Sequence, residues 1–213
     1  MNPRPKKLHL LRWLPKRLML TERPLGGCGL YLTFDDGPHP EVTPALLDLL
    51  EQHGAKATFF LLGANAERHP DIARRIVAEG HAIGNHSYSH PRFAKIDLAA
   101  QRAEIDRTDR ILEAFDGRPR HWFRPPSGAL PLRMLGYFAR RGRAIAYWSY
   151  DSMDYRRQSA EVLARRLREQ PPGAGDIVLM HDDDPNTLLA LRELVPEWRA
   201  AGHALEALPA ERG

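Results

Sequence analysis

Cysteine is nearly absent from this chain. One residue in 213, Cys28, excludes an internal disulfide framework and any paired-cysteine metal or redox site. It stands in the stretch Gly26-Gly27-Cys28-Gly29 with no general base beside it, which reads as a small buried residue rather than a nucleophile. Long hydrophobic runs are lacking too, so no segment approaches the length that spans a bilayer. Low-complexity tracts, linkers and internal repeats are also missing, which leaves a single domain. Nor is there much excess charge of one sign. Lys and Arg number 31 against 27 Asp and Glu, a net of +4, which suits a solvated arginine-rich surface and predicts no nucleic-acid partner.

What is present is an ordinary globular composition, 43% hydrophobic and 27% charged, unlike that of a disordered chain. The first segment, Met1 to Leu20, is basic and leucine-rich, but His9, Arg12, Pro15, Lys16 and Arg17 interrupt it. An export signal needs about 7–15 uninterrupted apolar residues. The expectation is therefore a cytoplasmic protein, with residues 1–29 as a basic leader and lead-in to a domain over 30–213. The leader either packs on that domain or rests as an amphipathic arm on the anionic inner face of a membrane, in peripheral contact. It is expected to be dispensable for chemistry.

From Leu30 onward, short runs of β-formers alternate with longer segments of helical spacing. The predicted strands are Leu30–Phe34, Ala57–Leu62, His81–Gly84, His121–Phe123, Ala144–Tyr150, Ile177–Met180 and His203–Leu208. Helices are predicted to begin near Pro44, Pro70, Leu98, Leu132, Ala160 and Leu188, with Thr43 and Ser159 as N-caps. Gly54, Gly80, Gly117, Gly142 and Gly202 fall where C-caps belong. This repeat implies an α/β fold with a parallel sheet. The length falls short of the ~250 residues of an eight-stranded barrel, so a distorted, incomplete (β/α) barrel of about seven parallel strands is expected. An open doubly wound sheet is the alternative.

Chemically capable residues gather just after five predicted strands: Thr33-Phe34-Asp35-Asp36-Gly37-Pro38, His86-Ser87-Tyr88-Ser89-His90, Arg124-Pro125-Pro126-Ser127-Gly128, Asp151-Ser152-Met153-Asp154 and His181-Asp182. In a parallel barrel the strand C-termini share one mouth, which carries the active site. Of Asp35 and Asp36, one could ligate a metal while the other acts as base, or the pair could form an Asx turn. His86 and His90, four apart, lack the intervening Glu of the HExxH enzymes, and Pro91 places them in a loop. With a carboxylate they make a His₂-carboxylate set with open positions, the pattern of a catalytic Zn²⁺ or Fe²⁺ site. Arg124, ahead of two prolines, is either poised for a bidentate carboxylate contact or in a surface salt bridge. His181 would otherwise be a hydrogen-bonded core-edge residue, and Asp182–Asp184 read as a solvated loop and helix cap.

These five clusters, in this order, resemble the motifs of the NodB-type polysaccharide deacetylases, carbohydrate esterase family 4, and the likeness runs from about Leu30 to Leu208. The resemblance implies a distorted (β/α) barrel, one divalent metal ion, commonly zinc, and an N-acetylated carbohydrate substrate. It also implies roles: Asp36, His86 and His90 as metal ligands, Asp35 as general base held by Arg124, and His181 as general acid oriented by Asp154. Leu179 would line the acetyl pocket, and Ser127 would offer a backbone N–H. Two positions depart from the pattern. Ser127 stands where many members have Tyr, and Tyr155 where Trp commonly follows the Asp. Both bear on the walls that contact the sugar and leave the chemistry intact. The rivals are an O-acetyl esterase or non-sugar amidase on the same scaffold, and an inactive carbohydrate-binding module.

Overall fold

The computed structural model describes residues 2–22 and 29–211; Cys28, whose burial the sequence suggested, lies outside them. In chain order the elements are α1 (Leu8–Leu11), β1 (Met19–Leu20), β2 (Gly29–Asp35), α2 (Val42–Gln52), β3 (Thr58–Leu61), α3 (Gly63–Arg68), α4 (Pro70–Ala78) and β4 (Ala82–Asn85). There follow α5 (Leu98–Asp116), α6 (Leu132–Arg141), β5 (Ile145–Ala146), β6 (Tyr150–Asp151), α7 (Ala160–Glu169), β7 (Ile177–His181), α8 (Pro185–Ala200) and β8 (Ala204–Leu205).

Every pairing among these strands is parallel. β4, β3, β2, β7 and β6 lie side by side in that order, β8 joins β2 at Gly29 and Leu30, and β1 pairs with β5. Single-residue bridges from Asn85 to Phe123 and from Phe123 to Ile145 connect β4 to β5. One side is thus joined by isolated bridges, with no continuous strand. The fold is a distorted, incomplete (β/α) barrel.

Period-two alternation along β2 explains both of its faces. Leu30, Leu32 and Phe34 enter the apolar layer shared with Leu46 and Leu50 of α2, Leu167 of α7 and Leu191 and Leu194 of α8. Tyr31, Thr33 and Asp35 point the other way, into the barrel, and the whole strand is buried. β7 repeats this: Val178 and Met180 face the helices, while Ile177 and Leu179 face inward. The inward face of these strands therefore carries the polar residues to one end.

Several sequence expectations change in detail. His121–Phe123 is a bridge at Phe123 rather than a strand, because only that residue meets both neighbours. Ala144–Tyr150 divides into β5 and β6 because the segment changes partners, from β1 to β7. The helix α3 is too short to show a period, and it was not expected. Thr43 lies inside α2 and not at its N-cap; its hydroxyl accepts the His39 N–H and donates to Asp182 at 2.5 Å. Ser159 does occupy the N-cap of α7, without a side-chain capping bond. Gly117 and Gly142 end α5 and α6 in the left-handed conformation, at φ 73° and 61°.

The leader is part of this packing. Leu8, Leu11, Met19 and Leu20 are buried, Met19 and Leu20 are register partners of Ile145 and Ala146, and the Pro3 carbonyl accepts the Asp151 N–H. Arg4 reaches the Ser149 carbonyl and the Asp176 carboxylate. Each buried leucine or methionine contributes about 1.5–3 kcal/mol. Deleting residues through Leu20 is therefore expected to lower the thermal midpoint by at least about 10 °C. An unchanged midpoint in calorimetry would mean that these side chains add nothing to the core.

Candidate active site

Five chain segments end at one mouth. Asp35 and His181 terminate β2 and β7 and are register partners; His86 follows β4; Arg124 follows the Phe123 bridge; Asp154 lies three residues beyond β6. Parallel pairing brings these C-terminal ends together, as the strand reading required.

Arg124 sits at the bottom, wholly buried. Its Nη1 donates to Thr33 Oγ1 at 2.7 Å and to Asp35 Oδ1 at 2.8 Å, and its Nε donates to the Ala146 carbonyl at 3.2 Å. The guanidinium carbon lies 4.0 Å from the centre of the Phe60 ring. The surface salt bridge is ruled out. The contact with Asp35 is single rather than bidentate: Nη1 alone reaches it, Nη2 has no hydrogen-bond partner among the described residues, and Asp35 Oδ2 faces His86 Nε2 at 3.7 Å. Burial pushes the Asp35 carboxyl above the usual carboxylate range, outweighing the charge of Arg124 and its hydrogen bond.

Asp36, His86 and His90 offer ligand atoms that all lie within 4.8 Å of one another. Asp36 Oδ1 is 3.5 Å from His86 Nε2 and 3.7 Å from His90 Nε2, and it is buried with no hydrogen-bond partner. Ligands about 2.1 Å from a tetrahedral ion sit roughly 3.4 Å apart, so the set fits a divalent metal. Its orphaned carboxylate oxygen is what a cation would satisfy. His86 Nδ1 lies 2.8 Å from the Arg124 carbonyl. A carbonyl can only accept, so the proton is on Nδ1 and Nε2 faces the set. Burial, which outweighs the pull of Asp36, lowers the His86 pKa to about 3 and keeps the ring in the neutral form that a metal requires.

On the other side His181 Nδ1 contacts Asp154 Oδ1 at 2.8 Å, while Asp154 Oδ2 accepts the His181 backbone N–H at 2.7 Å and the Thr187 hydroxyl at 3.0 Å. Burial alone would lower the imidazole pKa. The hydrogen bond and charge of Asp154, with Asp35 and Asp36 beyond, push it up to about 10. Leu179, on the same face of β7 two residues before His181, is buried. Tyr155 is half exposed, its ring edge-on to His181 with centroids 6.1 Å apart. Ser127 is exposed in the left-handed region at φ 53°.

The structure thus brings together the residues singled out in the sequence and adds others. Thr33 and Thr187, which hold Arg124 and Asp154, carried no separate signal in the sequence. Asp182 is not solvated: it is buried beneath the Asp35–His39 turn, where a Cβ on Gly37 would come within 2.3 Å of Asp182 Oδ2. Burial raises its carboxyl to about 7. Asp184 does cap α8, accepting the Asn186 N–H at 2.9 Å.

Comparison with known proteins agrees with this geometry. A family model described as polysaccharide deacetylase matches residues 23–146. A peptidoglycan-N-acetylglucosamine deacetylase of Bacillus cereus is 38% identical over 92% of this chain and 73% of its own length. A chitooligosaccharide deacetylase of Azorhizobium caulinodans is 38% identical over 84% of this chain and 92% of its own. A crystal structure of a peptidoglycan N-acetylglucosamine deacetylase, bound to a naphthalenyl N-hydroxybenzamide, superposes with a TM-score of 0.86 at 36% identity, covering 93% of this chain and 94% of that one. The chain belongs to the polysaccharide deacetylase family, the NodB-type carbohydrate esterases of family 4.

Proposed function

We propose that the chain is a metal-dependent carbohydrate N-deacetylase, a hydrolase of non-peptide C–N bonds that removes N-linked acetyl groups from sugars of an oligosaccharide, polysaccharide or glycolipid and releases acetate. The observation that carries this reading is the orphaned donor set of Asp36, His86 and His90, with Asp35 3.7 Å from His86 and the His181–Asp154 pair on the neighbouring strand. A binding module has no use for these three parts together.

A divalent ion, zinc by its His₂-carboxylate donors, would be held by Asp36, His86 and His90 and would supply Lewis acidity toward water and the acetyl carbonyl. Asp35 takes the proton of the attacking water. Its raised pKa makes it a stronger base than an ordinary aspartate, and Arg124 fixes its orientation. The backbone N–H of Ser127 donates to the developing oxyanion. His181, protonated through Asp154, gives its Nε2 proton to the leaving amine and so completes an acetate and a free amino sugar. Leu179 lines the space for the acetyl methyl, and Tyr155 offers a half-exposed ring to the sugar.

The leader suggests a second contact. No helix among the described residues is long and apolar enough to cross a membrane. Leu10 and Trp13 are nonetheless 74% and 89% exposed, among the exposed cations Lys6, Lys7, Lys16 and Arg17. Apolar side chains among cations match an anionic lipid surface.

Three measurements test these assignments. Asp35→Asn should retain its metal by elemental analysis while turnover falls by about 10²–10⁴-fold; His86→Ala and His90→Ala should lose the metal. An Asp35→Asn protein that emptied the site would exchange the roles of the two aspartates. Asp154→Asn removes the group that holds His181 protonated, so the ring loses its proton at lower pH. The alkaline limb of the pH–rate profile should then move down by roughly one unit or more. A limb that stays in place separates Asp154 from the acid. Finally, Leu10→Ser with Trp13→Ser should abolish co-sedimentation with phosphatidylserine vesicles and leave turnover on a soluble substrate intact. Equal sedimentation of both proteins would remove the lipid contact.

A further inference from the structure

The loop that carries both histidine ligands adopts a conformation that ordinary residues avoid. Ser87 and His90 have φ of 72° and 55°, in the left-handed region, and neither is glycine. Such a conformation costs of the order of 1–3 kcal/mol per residue and persists only where the surroundings enforce it. The enforcing contacts are visible. From below, Gly63 and Ala64, at the start of α3, donate their N–H groups to the Ser87 and Tyr88 carbonyls, each at 3.0 Å. A Cβ on Gly63 would come within 2.8 Å of the Tyr88 ring, so the loop lies directly against the helix. Inside the loop, the His90 N–H reaches Ser87 Oγ at 3.1 Å and the Ser87 N–H reaches Asn85 Oδ1 at 2.9 Å.

The remaining polar groups are gathered by one side chain from a different element. Glu104 of α5 accepts the Tyr88 N–H at 2.9 Å and the Ser89 N–H at 2.8 Å on Oε2, and the Ser89 hydroxyl at 3.0 Å on Oε1. We propose that Glu104 is a positioning residue for the metal site. Its carboxylate closes the loop between His86 and His90 and holds the two imidazoles in convergence with Asp36 before any ion arrives. Glu104 touches none of the three ligand side chains and carries none of the five sequence clusters. It acts through the backbone: three bonds made to a single anion favour the left-handed loop, and relaxing toward ordinary φ values would give up all three. The same helix supports the strand end beneath, since Asn85 Nδ2 donates to the Ile105 carbonyl at 2.9 Å and to Asp109 Oδ1 at 2.8 Å. α5 is thereby a brace for the histidine loop rather than only a cover for the barrel.

This role rests on the metal reading above, and the test separates the two. Glu104→Met keeps the length of the side chain but removes both carboxylate oxygens and with them all three bonds to the loop; Ser89→Ala removes a single bond and serves as the mild variant. Zinc dissociation constants are measured on the metal-free proteins by competition with a chromophoric chelator, with His86→Ala as the control. Amide hydrogen exchange at Tyr88 and Ser89 is followed in parallel. Loss of an outer-shell partner weakens metal binding by about 10–100-fold. Glu104→Met should show that loss, with faster exchange at both amides in a protein that still unfolds in one cooperative transition. Ser89→Ala should fall between it and the parent. Zinc affinity within twofold of the parent in folded Glu104→Met overturns the positioning role alone. A parent protein that binds zinc no better than His86→Ala overturns the metal reading, and this role with it.

Discussion

The site depends on one buried cation. Arg124 has no access to water, yet its side chain ties together β2 through Thr33 and Asp35 and the start of the segment leading to β6 through the Ala146 carbonyl. Its own carbonyl orients His86. A guanidinium in such a place is stable only while its partners are in position, since removing one leaves an uncompensated buried charge, at a cost of about 3–5 kcal/mol. Arg124 therefore enforces the geometry of both Asp35 and His86. The proline pair that follows it stiffens the backbone from which it projects.

Around that anchor the carboxylates of Asp35 and Asp154 have opposite environments. Asp35 is pushed up by burial in spite of its cation, while for Asp154 the opposing effect of burial is outweighed by the hydrogen bonds and charge of His181, which draw it down, and Asp154 in turn keeps the imidazole charged. A carboxylate raised by burial and an imidazole kept protonated by its partner are the complementary pair that the proposed amide hydrolysis needs. Positive φ at Asp36, Ser87, His90, Ser127 and Met153 falls in the same loops. Conformational strain is concentrated where chemistry is proposed, while β2 and β7 beneath are regular and buried on both faces.

Much of this was legible in the chain. Alternating apolar runs and helical periods carried the parallel architecture, and clusters placed after five runs had to converge if the strands were parallel. What escaped had physical reasons. Phe123 makes sheet contact through one residue only, below the length at which β-patterning shows, and the Ala144–Tyr150 run gave no sign of a change of partner. Of the two alternatives for the leader, Met19 and Leu20 take the packed one, through pairing with β5 more than a hundred residues away, which no local pattern shows. Asp182 resembled a solvated loop residue because two more aspartates follow it; only the fold shows it packed under Gly37 and bonded to Thr43. Of the two contacts open to Arg124 in the sequence, the structure has a buried carboxylate contact made by one nitrogen only. Support from α5 has no local signature, since Glu104 reads as any helical surface glutamate.

Ser127 and Tyr155 are both exposed, and the Tyr155 ring lies edge-on to His181. The central claim concerns the bond that is cleaved, and acetate release decides it. Purified protein is incubated with an N-acetylglucosamine oligomer and with an O-acetylated sugar, before and after chelation and after zinc is restored. Acetate should appear from the N-acetyl substrate in equal amount with free amine, cease on chelation and return with zinc. Release from the O-acetyl sugar alone, or release from the N-acetyl substrate that chelation leaves untouched, would contradict the account.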